Sequence, residues 1–149
     1  LARKFPTSKY SEEFDFVLLN LENDGVADWK SHVASINRYL KKYPDGVYVK
    51  SAKLHLACIY EGLWELQRPD TDEGEYRDWA GLHPDKNLAM KYKRKAIQMY
   101  QSALYLPEKN SLGTDIFDTD RIIRSLNYLK GHDKKSEHHS SNIGCIIND

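Results

Sequence analysis

Apolar residues along this chain recur at helical spacing. After Asp28 they fall at Val33, Ile36, Leu40 and Tyr43, close to the i, i+3, i+4 pattern of one helix face. Asp28 is a good N-cap, and Pro44 stops the helix because it lacks an N–H and disfavours helical geometry at Tyr43. Asp45-Gly46 completes a turn. The next predicted helix runs from about 47 to 66, with Ala52, Leu56, Ile59, Tyr60 and Leu63 on one side and Pro69 beyond its end. Helix resumes near Asp85 and reaches Leu106, carrying the stripe Leu88, Tyr92, Ala96, Met99, Tyr100 and Ala103, until Pro107. A last helix is expected after an Asp118 cap, with Ile122, Ile123, Leu126 and Leu129 on its face and Gly131 at its end. Residues 67–86, QRPDTDEGEYRDWAGLHPDK, are rich in turn formers and predict a long irregular loop.

Two phrases resemble each other. FPTSKYSEEFDFVLLN begins at Phe5, and YPDGVYVKSAKLHLACIY spans 43–60. At an offset of 38 residues, Phe5-Pro6 matches Tyr43-Pro44 and Tyr10 matches Tyr48; Phe16, Leu18 and Leu19 match Leu54, Leu56 and Ala57. A fixed period in this range is the mark of stacked helical units. No strand pattern competes in the body of the chain, so the expectation is all-α, with five helices in antiparallel pairs. Short helices are marginal alone in water. Burying each Leu, Ile or Tyr adds roughly 1.5–3 kcal/mol, so stacked apolar stripes are what make them persist.

The 149 residues suit one core. The expected division is a helical-repeat domain over 1–130, with an insertion at 67–86, and a polar tail with an apolar end over 131–149. Lys plus Arg and Asp plus Glu both number 22, so net charge supplies no general attraction to nucleic acid or an anionic membrane. No apolar run approaches the roughly 20 residues of a membrane span. No leader pattern is visible, and a first residue of Leu rather than Met is what a processed chain or a piece of a longer one would show. Cys58 and Cys145 form neither a disulfide framework nor a zinc spacing, and Cys58 is expected as a small buried residue.

No glycine-rich phosphate loop, nucleophile elbow or HExxH is present, so no catalytic residue is assigned and the chain is not expected to be an enzyme. The carboxylates Asp70, Asp72, Glu73, Glu75 and Asp78 do not keep calcium-loop spacing and read as a solvated acidic loop. In the tail, His132, His138, His139 and Cys145 offer metal-binding chemistry, but the adjacent His138-His139 pair cannot easily turn both rings to one ion. No metal or cofactor is assigned. The basic run Lys91, Lys93, Arg94 and Lys95 surrounds Tyr92, which lies on the apolar stripe; the charges read as a solvated helix face rather than a nucleic-acid patch. Tyrosines 39, 43, 48, 60, 92, 100 and 105 lie at or near repeat positions, suited to packing helix pairs with wet hydroxyls and to anchoring an interface. Ile143, Ile146 and Ile147 in NIGCIIND are expected to dock in a groove of this or a neighbouring chain.

Leu56-Ala57 followed by Tyr60 resembles the first-helix pattern of a tetratricopeptide repeat, and AIQMYQSALYLP, with Ala96, Tyr100, Ala103 and Pro107, resembles the second. The aromatic-proline turn followed by Tyr, in YPDGVY and FPTSKY, is similar to the bacterial cell-envelope repeats of the outer-membrane assembly lipoprotein (BamD-like). The period of 38 departs from the family's 34, and the insertion interrupts the second unit. The resemblance implies a tetratricopeptide-like right-handed solenoid, about five helices with an irregular C-terminal tail. It implies a protein–protein interaction scaffold on the periplasmic side of a bacterial envelope, binding another protein or peptide in a concave groove. By register, Glu13, Phe16, Asn20 and Asn23 line that groove in the first unit, and Ser51, Leu54, Cys58 and Glu61 in the second. The alternative is a ligand- or metal-binding accessory domain using the 67–86 insertion or the His-containing tail.

Overall fold

A computed structural model describes residues 10–21, 29–70, 74–107 and 119–131. Within them lie six helices and no strand: α1 (Ser11–Leu21), α2 (Trp29–Lys42), α3 (Val49–Gln67), α4 (Gly74–Trp79), α5 (Lys86–Leu104) and α6 (Thr119–Leu129). The all-α expectation holds for these residues, with one helix more than the five predicted. None of them is long and apolar enough to cross a membrane.

Two predicted helix boundaries can be checked at their caps. Asp85 caps α5 by accepting the N–H groups of Asn87 and Leu88. Gly131 follows α6 with a positive φ of 81°, donating its N–H to the Tyr128 carbonyl. The predicted caps Asp28 and Asp118 lie outside the described residues.

The extra helix, α4, forms inside the segment expected to be irregular throughout. Its Arg77 guanidinium donates from Nε to the Leu66 carbonyl and from Nη2 to the Arg68 carbonyl, each at 2.8 Å. These carbonyls are at and just past the end of α3, where the helix cannot supply its own donors. Asp85 N–H reaches the Gln67 carbonyl, and Leu82 is buried. The insertion is thus folded back onto the end of α3.

Helix α3 is the axis of the molecule. α2 approaches it antiparallel through the 43–48 turn, with His32 beside His55 at a ring separation of 6.5 Å. α5 runs antiparallel along it, from the Gln67–Asp85 bond at one end through Tyr60 stacked on Tyr92 at 6.1 Å. α6 reaches it through Tyr128, whose ring meets Trp64 at 5.4 Å. From α1, Phe16 stacks on Tyr48 at 4.4 Å, just ahead of the start of α3. The predicted stripe is therefore too narrow. Leu54, Cys58, Glu61 and Glu65 are buried as well as Ala52, Leu56, Ile59, Tyr60 and Leu63. Smaller differences occur elsewhere: Leu88 and Ile123, expected inside, are exposed, and Ser125 and Tyr128 of α6 are buried.

The two matching phrases start helices in register. Tyr10 and Tyr48 each precede a first helical residue, Ser11 and Val49, and their carbonyls accept from Phe14 and Ala52. Only the second is tied into the core. Glu12 Oε1 accepts the Tyr39 hydroxyl at 2.6 Å and the Tyr48 N–H at 3.3 Å, so one α1 carboxylate holds α2 and the start of α3 together. It passes over Gly46, where a Cβ would overlap Glu12 Oε1 and come within 2.9 Å of Tyr43 Cβ. Gly46→Ala is expected to lower unfolding free energy by about 1–2 kcal/mol in urea denaturation. In a Glu12→Ala background part of that cost should vanish, because the carboxylate is gone while Tyr43 Cβ still crowds the site; an equal cost in both backgrounds would remove the proposed link between turn and carboxylate.

Candidate functional site

The residues expected to line a groove do not share one open surface. Ser51, Leu54, Cys58 and Glu61 of α3 are all buried, with Leu54 and Glu61 at 1% and 0% exposure. They turn toward the packed interior because α3 is covered by several helices. In α1, Glu13 is exposed and Phe16 is buried. Nothing is described of the Asn20 side chain, and Asn23 lies outside the described residues. Cys58 is fully buried, as expected of a small core residue. The only other cysteine in the sequence is Cys145, outside the described residues. The tail histidines and NIGCIIND lie there too.

Buried carboxyl groups are met by tyrosines. Tyr100 donates to Glu61 Oε2 at 2.7 Å, and Tyr128 donates to Glu65 Oε1 at 3.1 Å. Burial first, then the adjacent Glu61 charge, pushes the Tyr100 phenol well above its usual pKa, and Ser125 hydrogen-bonds the same phenol. Burial followed by the Glu65 charge likewise raises Tyr128. Nearer the surface, Asp15 accepts from Tyr43 at 2.7 Å and Lys42 at 2.6 Å. Burial works against the Asp15 charge, but these hydrogen bonds outweigh it and hold the carboxyl below its ordinary pKa. Hydroxyls expected to be wet are therefore bound to carboxyl groups on neighbouring helices.

Tyr100 and Tyr128, with raised pKa values, remain donors, and their acceptors Glu61 and Glu65 are buried. Among the described residues there is no group of three or more His, Cys, Asp or Glu able to hold a metal. His32 and His55 are brought together, yet desolvation first, and then the His55 charge, lowers His32 to about 4. Desolvation also lowers His55. In the acidic insertion, Asp70 is paired with Arg68 through bonds of 3.0 and 2.5 Å and stays exposed to solvent, as expected of it.

Two open surfaces stand out among the described residues. On α1, Tyr10, Phe14, Val17 and Leu18 are exposed at 61%, 40%, 42% and 38%. Their i, i+4, i+7, i+8 spacing puts them on one face. A cleft of about 210 Å³ between α1 and α2 includes Leu18, Asp15, Arg38 and Lys42, continuing that face. This surface was hidden in the sequence because SEEFDFVLLN is apolar on both sides: Phe16 and Leu19 fill the inner face and leave Phe14, Val17 and Leu18 outside.

The second surface is a groove of about 610 Å³ between the end of α3, the first half of α5 and the end of α6. Trp64 is nearly covered by cations, with Arg68 Cζ at 5.0 Å and Lys93 Nζ at 5.3 Å from its ring. Lys95 Nζ lies 4.9 Å from Tyr60. The run KYKRK is thus not only a solvated face, because two of its lysines lie against aromatic rings of α3.

The chain matches no family model, no curated protein and no solved structure.

Tyr100→Phe removes the donor to a buried carboxyl and is expected to cost about 1–3 kcal/mol in chemical denaturation. Tyr43→Phe, at the more exposed Asp15, should cost less than about 1 kcal/mol; equal losses would show that burial of Glu61 carries no special weight. The histidines set an acid limit. His32 binds its proton less readily folded than unfolded, so its contribution is intact above about 6.5 and declines as pH falls toward about 4. His32→Gln should flatten the fall of the urea midpoint across that window, and an unchanged slope would exclude the pair as its source.

Proposed function

We infer that this chain is a non-enzymatic interaction module that binds another protein through a helical surface. The exposed apolar face of α1 carries this reading. Tyr10, Phe14, Val17 and Leu18 form a continuous stripe on a helix whose opposite side is already packed. Such a stripe keeps apolar surface in water until a partner covers it. Aromatic anchors beside a cleft suit a protein or peptide better than a small polar substrate. The contact surface is therefore placed on α1 and the α1–α2 cleft, since the α3 positions are covered within the chain.

The fold proposed for this role is a stack of tetratricopeptide-like helix pairs. Its support is the matching start of α1 and α3 at the 38-residue offset, together with α2 and α5 running antiparallel to α3. A bacterial envelope setting is proposed with it. Its support is the aromatic-proline phrases YPDGVY and FPTSKY.

The test uses the whole chain with a photo-crosslinking amino acid at Val17, purified from its own cells. Crosslinks to a discrete protein are expected, and they should disappear in a Phe14→Glu variant whose melting temperature is little changed. Crosslinks that survive Phe14→Glu would overturn the α1 assignment.

A further inference from the structure

The groove beside Trp64 is separate from the α1 face and has different chemistry. Along α5, Lys86, Ala89, Met90 and Lys93 line it. Their i, i+3, i+4, i+7 spacing makes them one stripe, with the two lysines about 10 Å apart along the helix axis. Pro69 and Tyr128 contribute to the walls. Met90, between the lysines, is 46% exposed, an apolar floor open to solvent.

Among the described residues, the charges along the stripe are not balanced by ion pairs. Arg68 is neutralised by Asp70 through two hydrogen bonds. The nearby Glu65 accepts the Tyr128 hydroxyl. Lys86 and Lys93 have no ion pair with any described residue; Lys93 is held over the Trp64 ring instead. Lys86 also opens α5, whose first turn has no acidic residue, at the end where the helix macrodipole disfavours a cation. A lysine there does not help the helix, and the groove around it is positive and partly apolar.

We propose that this groove binds an acidic peptide segment of a partner protein, in which two carboxylates flank a hydrophobic pair. A segment in polyproline-II geometry has about three residues per turn and rises about 3.1 Å per residue, so carboxylates three positions apart lie on one face and span about the separation of Lys86 and Lys93. The two residues between them lie along Met90 and Pro69. Charge-assisted hydrogen bonds to the two ammonium groups supply the selectivity, and the aromatic wall behind Lys93 restrains one of them in advance of binding.

The probe is a fluorescent peptide containing Asp-Leu-Leu-Asp, titrated by anisotropy into the full chain at two salt concentrations. Saturable binding that weakens with salt is expected, with about tenfold loss in Lys86→Gln and a larger loss when Lys93→Gln is added. Lys86 makes no packing contact with Trp64, so Lys86→Gln tests the site even if Lys93→Gln perturbs the fold; a thermal melt separates the two effects. Equal binding of an Asn-Leu-Leu-Asn peptide, an unchanged affinity in Lys86→Gln, or no binding would overturn the proposal. Full displacement by millimolar inorganic phosphate would also overturn it and identify a small-anion site instead. None of these readouts involves Phe14 or Val17, so failure here leaves the α1 face standing, and the reverse holds.

Discussion

Glu61 is fully buried in the middle of the helix that every larger element of this protein packs against. A polar group taken out of water without a partner costs several kcal/mol. Tyr100 meets that demand from α5, and Ser125 of α6 joins the same phenol. One turn later on the same side of α3, Glu65 is met by Tyr128 of α6. These bonds do more than give each carboxyl group one donor. Apolar packing between α3, α5 and α6 tolerates small slides and rotations, whereas a tyrosine hydroxyl must arrive within hydrogen-bond reach of one particular oxygen. The polar pairs therefore select one register for the three helices.

The same device operates at the other end of the core. Glu12 of α1 reaches across the 43–48 turn to Tyr39 and to the Tyr48 backbone, and Gly46 leaves room for it. A short α1 with a partly apolar outer face gains a fixed position from this carboxylate and from Phe16 stacked on Tyr48. Its outer face is held steady rather than left to adjust, which reduces the ordering cost of covering it. At the opposite end, Arg77 closes the carbonyl end of α3 and brings the insertion against the core. Both proposed binding surfaces are thus built on elements anchored to α3.

Much of the helical architecture was legible in the sequence. Pro44, Asp85, Pro107 and Gly131 act locally, through a missing N–H, a side-chain cap or a left-handed backbone, so their meaning survives without a partner. α4 was not legible: six residues with few periodic contacts form a helix because Arg77 and Leu82 find places on α3. Ile123 and Ser125 exchanged their expected sides for a similar reason. Burial on α6 follows the location of Tyr100 and Glu65, not hydrophobicity alone.

The sequence by itself determined an all-helical chain for the described residues, where the turns fall, and which phrases start alike. These depend on interactions over a few residues. Only the tertiary structure decided that α3 is covered all round, that the predicted groove residues on it are enclosed, and that Phe14 and Met90 face outward. The physical reason is that the same α-helix periodicity serves a helix covered on one side or on all. Burial depends on what the other helices bring to each face, and that is set by contacts such as Glu61 with Tyr100, 39 residues apart.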